Sequence, residues 1–153
     1  MPLPGGYILD TNILLALVRG NALGLYVDAT YSLTKAQNAF MISIVSVGEM
    51  YALVEKFKSQ GQAWGPAKVQ KLDHLLGQLV WIDLSDPAIL KTYGEIDGAT
   101  EAIGRKMGKN DVWIAATARI TNATLLTTDT DFDHLFPKWI DREWVDPTSK
   151  LSA

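Results

Sequence analysis

Four short acidic motifs, far apart in the chain, each lie where an apolar run ends or a helical pattern begins. They are Asp10-Thr11-Asn12 after Tyr7-Ile8-Leu9, Glu49 after the run 40–45, Asn110-Asp111 before an alanine-rich stretch, and Asp129-Thr130-Asp131 after Leu125-Leu126. In an open parallel sheet, ligands bind beyond the carboxyl ends of the strands, so a fold of that kind would bring the four motifs together. The pattern therefore predicts a sheet topology and a site at the same time.

Short apolar runs rich in β-branched residues alternate with longer helical patterns, as is typical of βαβ units. Strands are predicted at 7–9, 41–45, 79–84, 124–127 and 139–145, with a short helix or turn at 128–135. Helices are predicted at 13–18, from Ser46 past Phe57, at 67–76, from Asp86 to a break near Asp97, and from Asn110 to Ile120. The segment 21–37 fits either a loop or a short helix. The chain is thus predicted to be an α/β protein with a mostly parallel central sheet flanked by helices.

The composition limits what such a chain can do. With 153 residues and 48% hydrophobic content, it is long enough for one domain with its own core, expected at 1–146, followed by a frayed tail at 147–153. The absence of cysteine excludes a disulfide framework, a zinc ribbon and thiol catalysis, and favours a cytoplasmic location. The sequence contains no run of about 20 apolar residues, so no membrane span is predicted. The net charge of −3 argues against a broad nucleic-acid-coating surface, although a local basic rim stays compatible with it.

Carboxylates gathered in one place repel one another unless a cation lies among them. Oxygen ligands without cysteine or histidine suit Mg²⁺ or Mn²⁺ rather than zinc, which points to metal-dependent phosphodiester chemistry. Each motif taken singly also has a structural interpretation, because aspartate, asparagine and an early glutamate are preferred at helix N-termini. Ser46-Val47-Gly48-Glu49 in particular matches a capping box, in which Glu49 would accept a hydrogen bond from the Ser46 amide.

The motifs resemble those of the PIN-domain nucleases, and within them the VapC-like toxins of prokaryotic type II toxin and antitoxin pairs. The resemblance is carried by Ile8-Leu9-Asp10-Thr11-Asn12, Ser46-Val47-Gly48-Glu49, Asn110-Asp111-Val112-Trp113-Ile114-Ala115-Ala116 and Leu126-Thr127-Thr128-Asp129-Thr130-Asp131-Phe132. It implies a three-layer PIN-like fold, an endoribonuclease that uses Mg²⁺ or Mn²⁺, and a small separate antitoxin as partner. The implied catalytic and metal-binding quartet is Asp10, Glu49, Asp111 and Asp129, with Asp131 as an accessory metal ligand.

Several residues near the quartet are candidates for RNA contact. They are the polar residues Thr11, Asn12, Thr127 and Thr128 and the basic residues Lys35, Arg105, Lys106 and Lys109. The hydroxyls would position water or phosphate, and Asn12 would more readily orient Asp10 than bind a metal. A charged run before a helix is equally expected as a solvated loop. Trp113 is expected to pack in the core rather than to lie exposed and stack on RNA bases.

Two other functions stay open from the sequence. A phosphatase that forms an aspartyl-phosphate would want a second acid two residues after its nucleophile, where this chain has Asn12. A PIN fold kept as a catalytically inactive binding or scaffold protein would be expected to have lost acids, whereas the quartet is complete. The apolar positions between Met50 and Leu76 exceed what a helical hairpin on a small sheet would bury, which predicts a homodimer.

Overall fold

The computed structural model describes residues 6–33 and 40–152, and its strands form one sheet in the order β3-β2-β1-β4-β5. The strands, all parallel, are β1 Tyr7–Leu9, β2 Phe40–Ser43, β3 Val80–Ile82, β4 Thr124–Thr127 and β5 Asp141–Trp144. The helices are α1 Thr11–Arg19, α2 Ala22–Tyr31, α3 Ile44–Ser59, α4 Pro66–Gln78, α5 Pro87–Ala102, α6 Lys109–Thr121 and a 3₁₀ helix at Thr130–Leu135. The predicted α/β class is confirmed.

Side chains of the strands alternate between two layers of helices. Ile8 and Leu125 pack on one side with residues of α5 and α6. Leu9 and Leu126 pack on the other side with α1 and α2, and Ile42 packs there with α3 and α4. Because neighbouring residues of a strand face opposite sides, a strand covered on both faces must be apolar throughout. This is why the inner strands β1, β2 and β4 are largely apolar, whereas the edge strands β3 and β5 are mostly exposed and three of the four residues of β5 are charged. The expected three-layer arrangement is confirmed.

Local signals explain the tight turn between α1 and α2. The first helix ends at Gly20, which lies in the left-handed region at φ 60° and donates its N–H to the carbonyl of Ala16. The Asn21 side chain then caps α2 by accepting a hydrogen bond from the N–H of Gly24. At Gly24 the two helices are so close that a Cβ atom would lie 2.1 Å from the Ala16 carbonyl oxygen. Within the segment 21–37 that the sequence left undecided, residues 22–31 therefore form a helix packed tightly on α1, and residues 34–37 lie outside the described ranges.

The boundary between β2 and α3 differs from the prediction. The strand ends at Ser43 and the helix begins at Ile44, because the Ser43 hydroxyl accepts a hydrogen bond from the Val45 N–H and caps the helix there. Ser46 therefore lies inside the first helical turn, where it is buried, and cannot be the N-cap of a capping box. The capping-box interpretation of Glu49 was wrong.

Two helix boundaries on the other side of the sheet also differ. The predicted break near Asp97 does not occur, because the buried side chain of Ile96 holds α5 continuously against the core. The predicted cap of α6, Asn110, lies one residue inside the helix, which Gly108 precedes as the N-cap. Asp111 consequently lies in the first turn of α6.

Within residues 6–33 and 40–152, no single helix combines the length and the hydropathy of a membrane span. Helices α1 and α2 meet both criteria only when taken together, and they are bent by 108° with respect to each other.

The carboxyl ends of three strands meet at one edge of the sheet. Strand β1 is hydrogen-bonded to β2 on one side and to β4 on the other, and all three run in the same direction. Helices α1 and α3 start directly after β1 and β2. The chain order reverses between β1 and β4, and such a reversal opens the crevice in which α/β proteins bind ligands.

Candidate active site

Each member of the predicted quartet reaches one cleft from a different element. Asp10 directly follows β1, Asp129 follows β4, Glu49 lies in the second turn of α3 and Asp111 in the first turn of α6. All four line a single cleft of about 470 Å³. The other lining residues are Thr11, Asn12, Ala52, Leu53, Lys56 and Asn110. The structure thus brings the four acids together at the edge of the sheet where the sequence pattern expected them.

Asp10 is the most deeply placed of the four, with 4% of its surface exposed. One carboxylate oxygen accepts a hydrogen bond of 2.8 Å from the Thr11 N–H, and the other accepts one of 2.7 Å from the Thr127 hydroxyl. The Thr127 hydroxyl in turn accepts a hydrogen bond of 2.9 Å from the Asp129 N–H. Thr127 therefore positions Asp10 and the start of the Asp129 loop, and its buried hydroxyl does not face substrate as the sequence suggested.

Glu49 is held from both sides of the cleft. Its Oε1 accepts a hydrogen bond of 2.6 Å from the Thr11 hydroxyl, and its Oε2 accepts one of 3.3 Å from the Asn110 side-chain amide. Because Thr11 belongs to α1 and Asn110 to α6, these contacts join three helices around one carboxylate. Thr11 is therefore engaged in orienting an acid.

The other two polar candidates, Asn12 and Thr128, differ in their position relative to the cleft. Asn12 is exposed and lines the cleft, where it can reach a substrate, and Asp10 is oriented by Thr11 and Thr127 instead. Thr128 lies outside the residues that line the cleft, and its backbone carbonyl accepts a hydrogen bond from the indole of Trp144.

Three aspartates form the tightest acidic group of the site. Asp111, Asp129 and Asp131 each offer a carboxylate oxygen, and these oxygens lie within 4.8 Å of one another. The Asp131 N–H donates to Asp129 at 2.8 Å, which folds the loop so that both side chains stay close. Oxygens at 2.0–2.6 Å from one ion lie within about 5 Å of each other, so the donor type and the spacing both fit a shared divalent cation.

Burial and the clustered charges raise the pKa values of two of the acids, Asp10 and Asp111. Burial, followed by repulsion from Asp129 and Glu49, raises the pKa of Asp10 to about 6, despite the two hydrogen bonds that its carboxylate accepts. Burial, followed by the charges of Asp10 and Asp129, raises the pKa of Asp111 to about 7. Such raised values are typical of functional sites, and a bound cation would relieve the repulsion.

The three basic candidates that the structure describes, Arg105, Lys106 and Lys109, do not line the cleft. Lys109 forms an ion pair of 2.8 Å with Asp97 of α5, so its charge already has a partner. Arg105 and Lys106 are exposed in the loop between α5 and α6, outside the cleft lining. Lys35 falls outside the ranges that the structure describes.

Sequence reasoning missed the basic residue that does line the cleft, Lys56. It follows Glu49 by seven residues on α3, so the two side chains leave the same face of the helix two turns apart. That spacing was the available signal in the sequence. The role of Asn110 as a partner of Glu49 was also missed, because it depends on how α3 and α6 pack.

Similarity to known proteins identifies the family. The PIN domain model matches residues 7–135. Ribonuclease VapC2 of Rickettsia felis is 32% identical over 141 residues, which cover 90% of this chain and 97% of that protein. The crystal structure of VapBC2 from Rickettsia felis, bound to a DNA fragment from their promoter, matches with a TM-score of 0.72 at 28% identity, over 92% of this chain and 98% of that one. DNA-bound VapBC from Salmonella typhimurium shares the fold, with a TM-score of 0.69 at 20% identity over 91% and 97%. The chain therefore belongs to the PIN domain family, and its relatives within that family are VapC-like proteins.

Proposed function

We propose that this protein is an endoribonuclease that hydrolyses RNA phosphodiester bonds with Mg²⁺ or Mn²⁺, and that it is the toxin of a toxin and antitoxin pair. The observation that carries the proposal is the convergence of Asp10, Glu49, Asp111 and Asp129 from four elements on one cleft. The raised pKa values of Asp10 and Asp111 support a site that gathers negative charge for a cation. Kinship with the ribonuclease of Rickettsia felis supports RNA as the substrate.

The chain's own residues supply the frame for this chemistry. The residues assigned to the cation are Asp10, Glu49, Asp111 and Asp129, with Asp131 as an accessory ligand. A bound divalent cation lowers the pKa of a coordinated water and stabilises the charge that develops on the phosphate. Thr11 and Thr127 hold Asp10 in one orientation, and Thr11 also fixes Glu49, so two of the carboxylates are preorganised before a ligand arrives.

The chemistry of the cut ends tests this proposal. Attack by water leaves no cyclic phosphate, whereas attack by the neighbouring ribose hydroxyl would leave a 2′,3′-cyclic phosphate. We expect the purified protein with Mg²⁺ or Mn²⁺ to give only linear ends, and to cut RNA that carries a deoxyribose at the cleavage position. Cyclic phosphate ends would contradict the proposal. Release of inorganic phosphate from a small ester would support the phosphatase alternative, and absence of both cation binding and RNA cleavage would support a scaffold.

Lys56 is proposed to bind a phosphate of the RNA beside the one that is cut, since among the residues that the structure describes it is the positively charged one in the cleft lining. Lys56→Gln should lower kcat/KM about threefold to tenfold at low salt and lower the salt dependence of RNA binding by about 0.7 in the log–log slope. Lys58→Gln is the matched control, because Lys58 lies on the same helix and is exposed like Lys56, but it does not line the cleft and is paired with Glu55. Equal effects of the two substitutions on the slope would contradict the assignment.

A separate antitoxin is proposed as the partner, and similarity to the VapBC2 structure supports it. A toxin made alone should arrest growth of a bacterial host, and Asp10→Asn should relieve the arrest because the variant lacks a carboxylate of the quartet. Normal growth with the unaltered protein would contradict the toxin assignment.

A homodimer is also proposed, on a narrower basis than the sequence suggested. Val47 and Met50 of α3 and Leu72 and Leu76 of α4 are buried in a cluster with α1, and Leu53, Val54 and Leu75 pack partly buried against it, so the surplus of apolar surface on this hairpin is smaller than the sequence suggested. Tyr51 and Val69 stay exposed, at 48% and 37%, and the edge strand β3 adds Val80 and Trp81, at 41% and 49%. Pairing would cover these residues. Sedimentation as a monomer at micromolar concentration would contradict the dimer.

The domain limits and the location are proposals as well. The last strand of the sheet ends at Trp144, which supports one nuclease domain at 1–146 and a tail at 147–153. Limited proteolysis checks this, since a stable fragment that ends well before residue 144 would contradict it. The cysteine-free sequence supports a cytoplasmic location, which fractionation of the native cells would check.

A further inference from the structure

A second cavity, of about 380 Å³, adjoins the acidic cleft. The two share Glu49, Ala52 and Asn110 as wall residues. The other residues that line the second cavity are Ile44, Val45, Gly48, Leu84 and Trp113, and we call this cavity the side pocket. Because the walls are shared, one molecule can place a charged group at the acids and extend an uncharged group into the side pocket.

Trp113 gives the side pocket an aromatic wall. Its indole stacks on Tyr93 of α5 with ring centroids 3.8 Å apart and an angle of 23° between the planes. Both rings are partly buried and pack against the core that α5 and α6 form. The aromatic wall is therefore held in place by the fold itself. Fixed aromatic rings are the platforms on which unpaired bases stack in proteins that bind single strands.

Helix α3 leaves open space in the side pocket. Gly48 and Ala52 lie one turn apart on it, and a Cβ atom at Gly48 would meet no other atom within 4 Å. Glycine inside a helix is destabilising, so packing alone gives no reason for one here. Ile44, one turn earlier, is 38% exposed and adds an apolar surface. The side pocket thus has apolar and aromatic walls. The side-chain amide of Asn110 lies where the side pocket meets the acidic cleft.

We propose that the side pocket binds one unpaired nucleobase of the RNA substrate, next to the phosphate in the acidic cleft. The proposal rests on the proposed nuclease function, which supplies that phosphate. Glu49 in the shared wall disfavours a second phosphate, whereas a neutral base has no such penalty. The side pocket is shallow and open to solvent, which suits a base that stacks against one wall rather than a ligand enclosed on all sides. A base in a duplex cannot enter, so the RNA is single-stranded at this position.

Two pairs of variants separate base binding from general damage to the fold. Gly48→Leu fills the side pocket without removing a contact, since its new side chain starts in open space. Gly77→Leu on α4 is the matched control, because a Cβ there also meets nothing within 4 Å and Gly77 lines neither cavity. Trp113→Phe keeps an aromatic wall, and Trp113→Leu keeps only an apolar one.

The first readout is the cleavage rate of RNAs that carry one abasic nucleotide at each position around the mapped cut. For the wild-type protein, we expect one abasic position to lower kcat/KM about 10-fold, the effect of losing one stacked base. Gly48→Leu should lower kcat/KM on intact RNA by a similar factor, and an abasic nucleotide at that position should then lower kcat/KM no further. Gly77→Leu should behave as wild type. If no abasic position matters, or if Gly48→Leu cuts as fast as wild type, the side-pocket proposal is overturned while the nuclease function stands.

The second readout does not depend on cleavage. A short single-stranded RNA containing 2-aminopurine is mixed with the protein in EDTA, where stacking on an aromatic ring quenches the fluorescence of the base. We expect quenching with wild type and Trp113→Phe, and at least about 10-fold weaker binding with Gly48→Leu and Trp113→Leu. If no RNA is cut but this pattern holds, the nuclease function fails and the side pocket stands. Absence of quenching with wild type, or equal quenching with Gly48→Leu, overturns the side pocket.

Discussion

Replacing Asp10 by asparagine is expected to lower RNA cleavage on the order of 10²–10³-fold or more, and at the same time to stabilise the metal-free protein at pH 8. Asparagine still accepts the hydrogen bond from the Thr11 N–H but carries no charge. Because the pKa of Asp10 is raised from 3.8 to about 6, its carboxylate form costs on the order of 3 kcal/mol relative to the unfolded chain. The altered bond with Thr127 offsets about 1 kcal/mol of this, so a net gain of about 1–2 kcal/mol should appear in urea unfolding with EDTA.

Two further variants show whether the effect belongs to the site. Asp129→Asn should also abolish cleavage, because it removes another carboxylate of the cluster. Asp73→Asn is the control, since Asp73 is exposed on α4 away from the cleft, and it should change neither cleavage nor stability. A purely structural role as helix cap predicts a different result, because asparagine caps helices as well as aspartate does. Full cleavage by both Asp10→Asn and Asp129→Asn would contradict the assignment of these residues as catalytic metal ligands.

The second large effect is expected in the pH dependence of stability. The pKa values of Asp10, about 6, and Asp111, about 7, lie above the value of 3.8 for an ordinary aspartate, so the folded protein binds more protons than the unfolded chain between about pH 4 and pH 7. The stability that these groups contribute is therefore present below pH 4 and is lost as the pH rises to 7. His134 acts in the opposite direction, because burial lowers its pKa. The difference in stability between Asp10→Asn and wild type isolates Asp10, and it should rise from a disadvantage of about 1 kcal/mol at pH 4, where only the altered bond with Thr127 counts, to its full advantage at pH 8.

Added Mg²⁺ should restore the stability that the metal-free protein loses. A ligand at 100 times its Kd stabilises the folded state by about 2.7 kcal/mol, so melting curves at pH 8 should shift clearly upward. At pH 5.5 the shift should be much smaller, because protons compete with the cation for Asp10 and Asp111. Asp129→Asn should reduce the shift at both pH values. An equal Mg²⁺ shift at pH 5.5 and pH 8, or an Asp10→Asn advantage that does not rise with pH, would count against a cation site.

The fold was predictable from the sequence because the three inner strands, β1, β2 and β4, are buried on both faces. Such strands read as continuous apolar runs, and the helices between them carry the period of a single buried face. The boundary after β2 was not predictable in the same way. Ile44 and Val45 continue the β-branched run of the strand, and Ser43 and Ser46 are both suitable caps. Packing of α3 on α1 makes Ser43 rather than Ser46 the N-cap of the helix, and no local sequence pattern indicates this choice.

The acidic quartet was predictable for a related reason. In a parallel sheet the carboxyl ends of all strands lie at the same edge. Asp10 and Asp129 directly follow two strands, so they could be placed together without a structure. The groups that orient the acids are different, because each acts across a large sequence separation. Thr127 lies 117 residues from Asp10, and Asn110 lies 61 residues from Glu49. Such contacts depend on the relative rotation of packed elements, which the sequence pattern of one element does not contain.

Cleavage of a single-stranded RNA by protein stripped of metal and then resupplied with it tests the central claim most directly. The acidic cleft is assigned to a cation that the reaction requires, so wild-type protein in EDTA should leave the RNA intact, and excess Mg²⁺ or Mn²⁺ should restore cutting. The same additions should not restore cutting by Asp10→Asn. RNA cleavage that continues undiminished in EDTA, or that fails with every divalent cation supplied to a folded protein, would contradict the account.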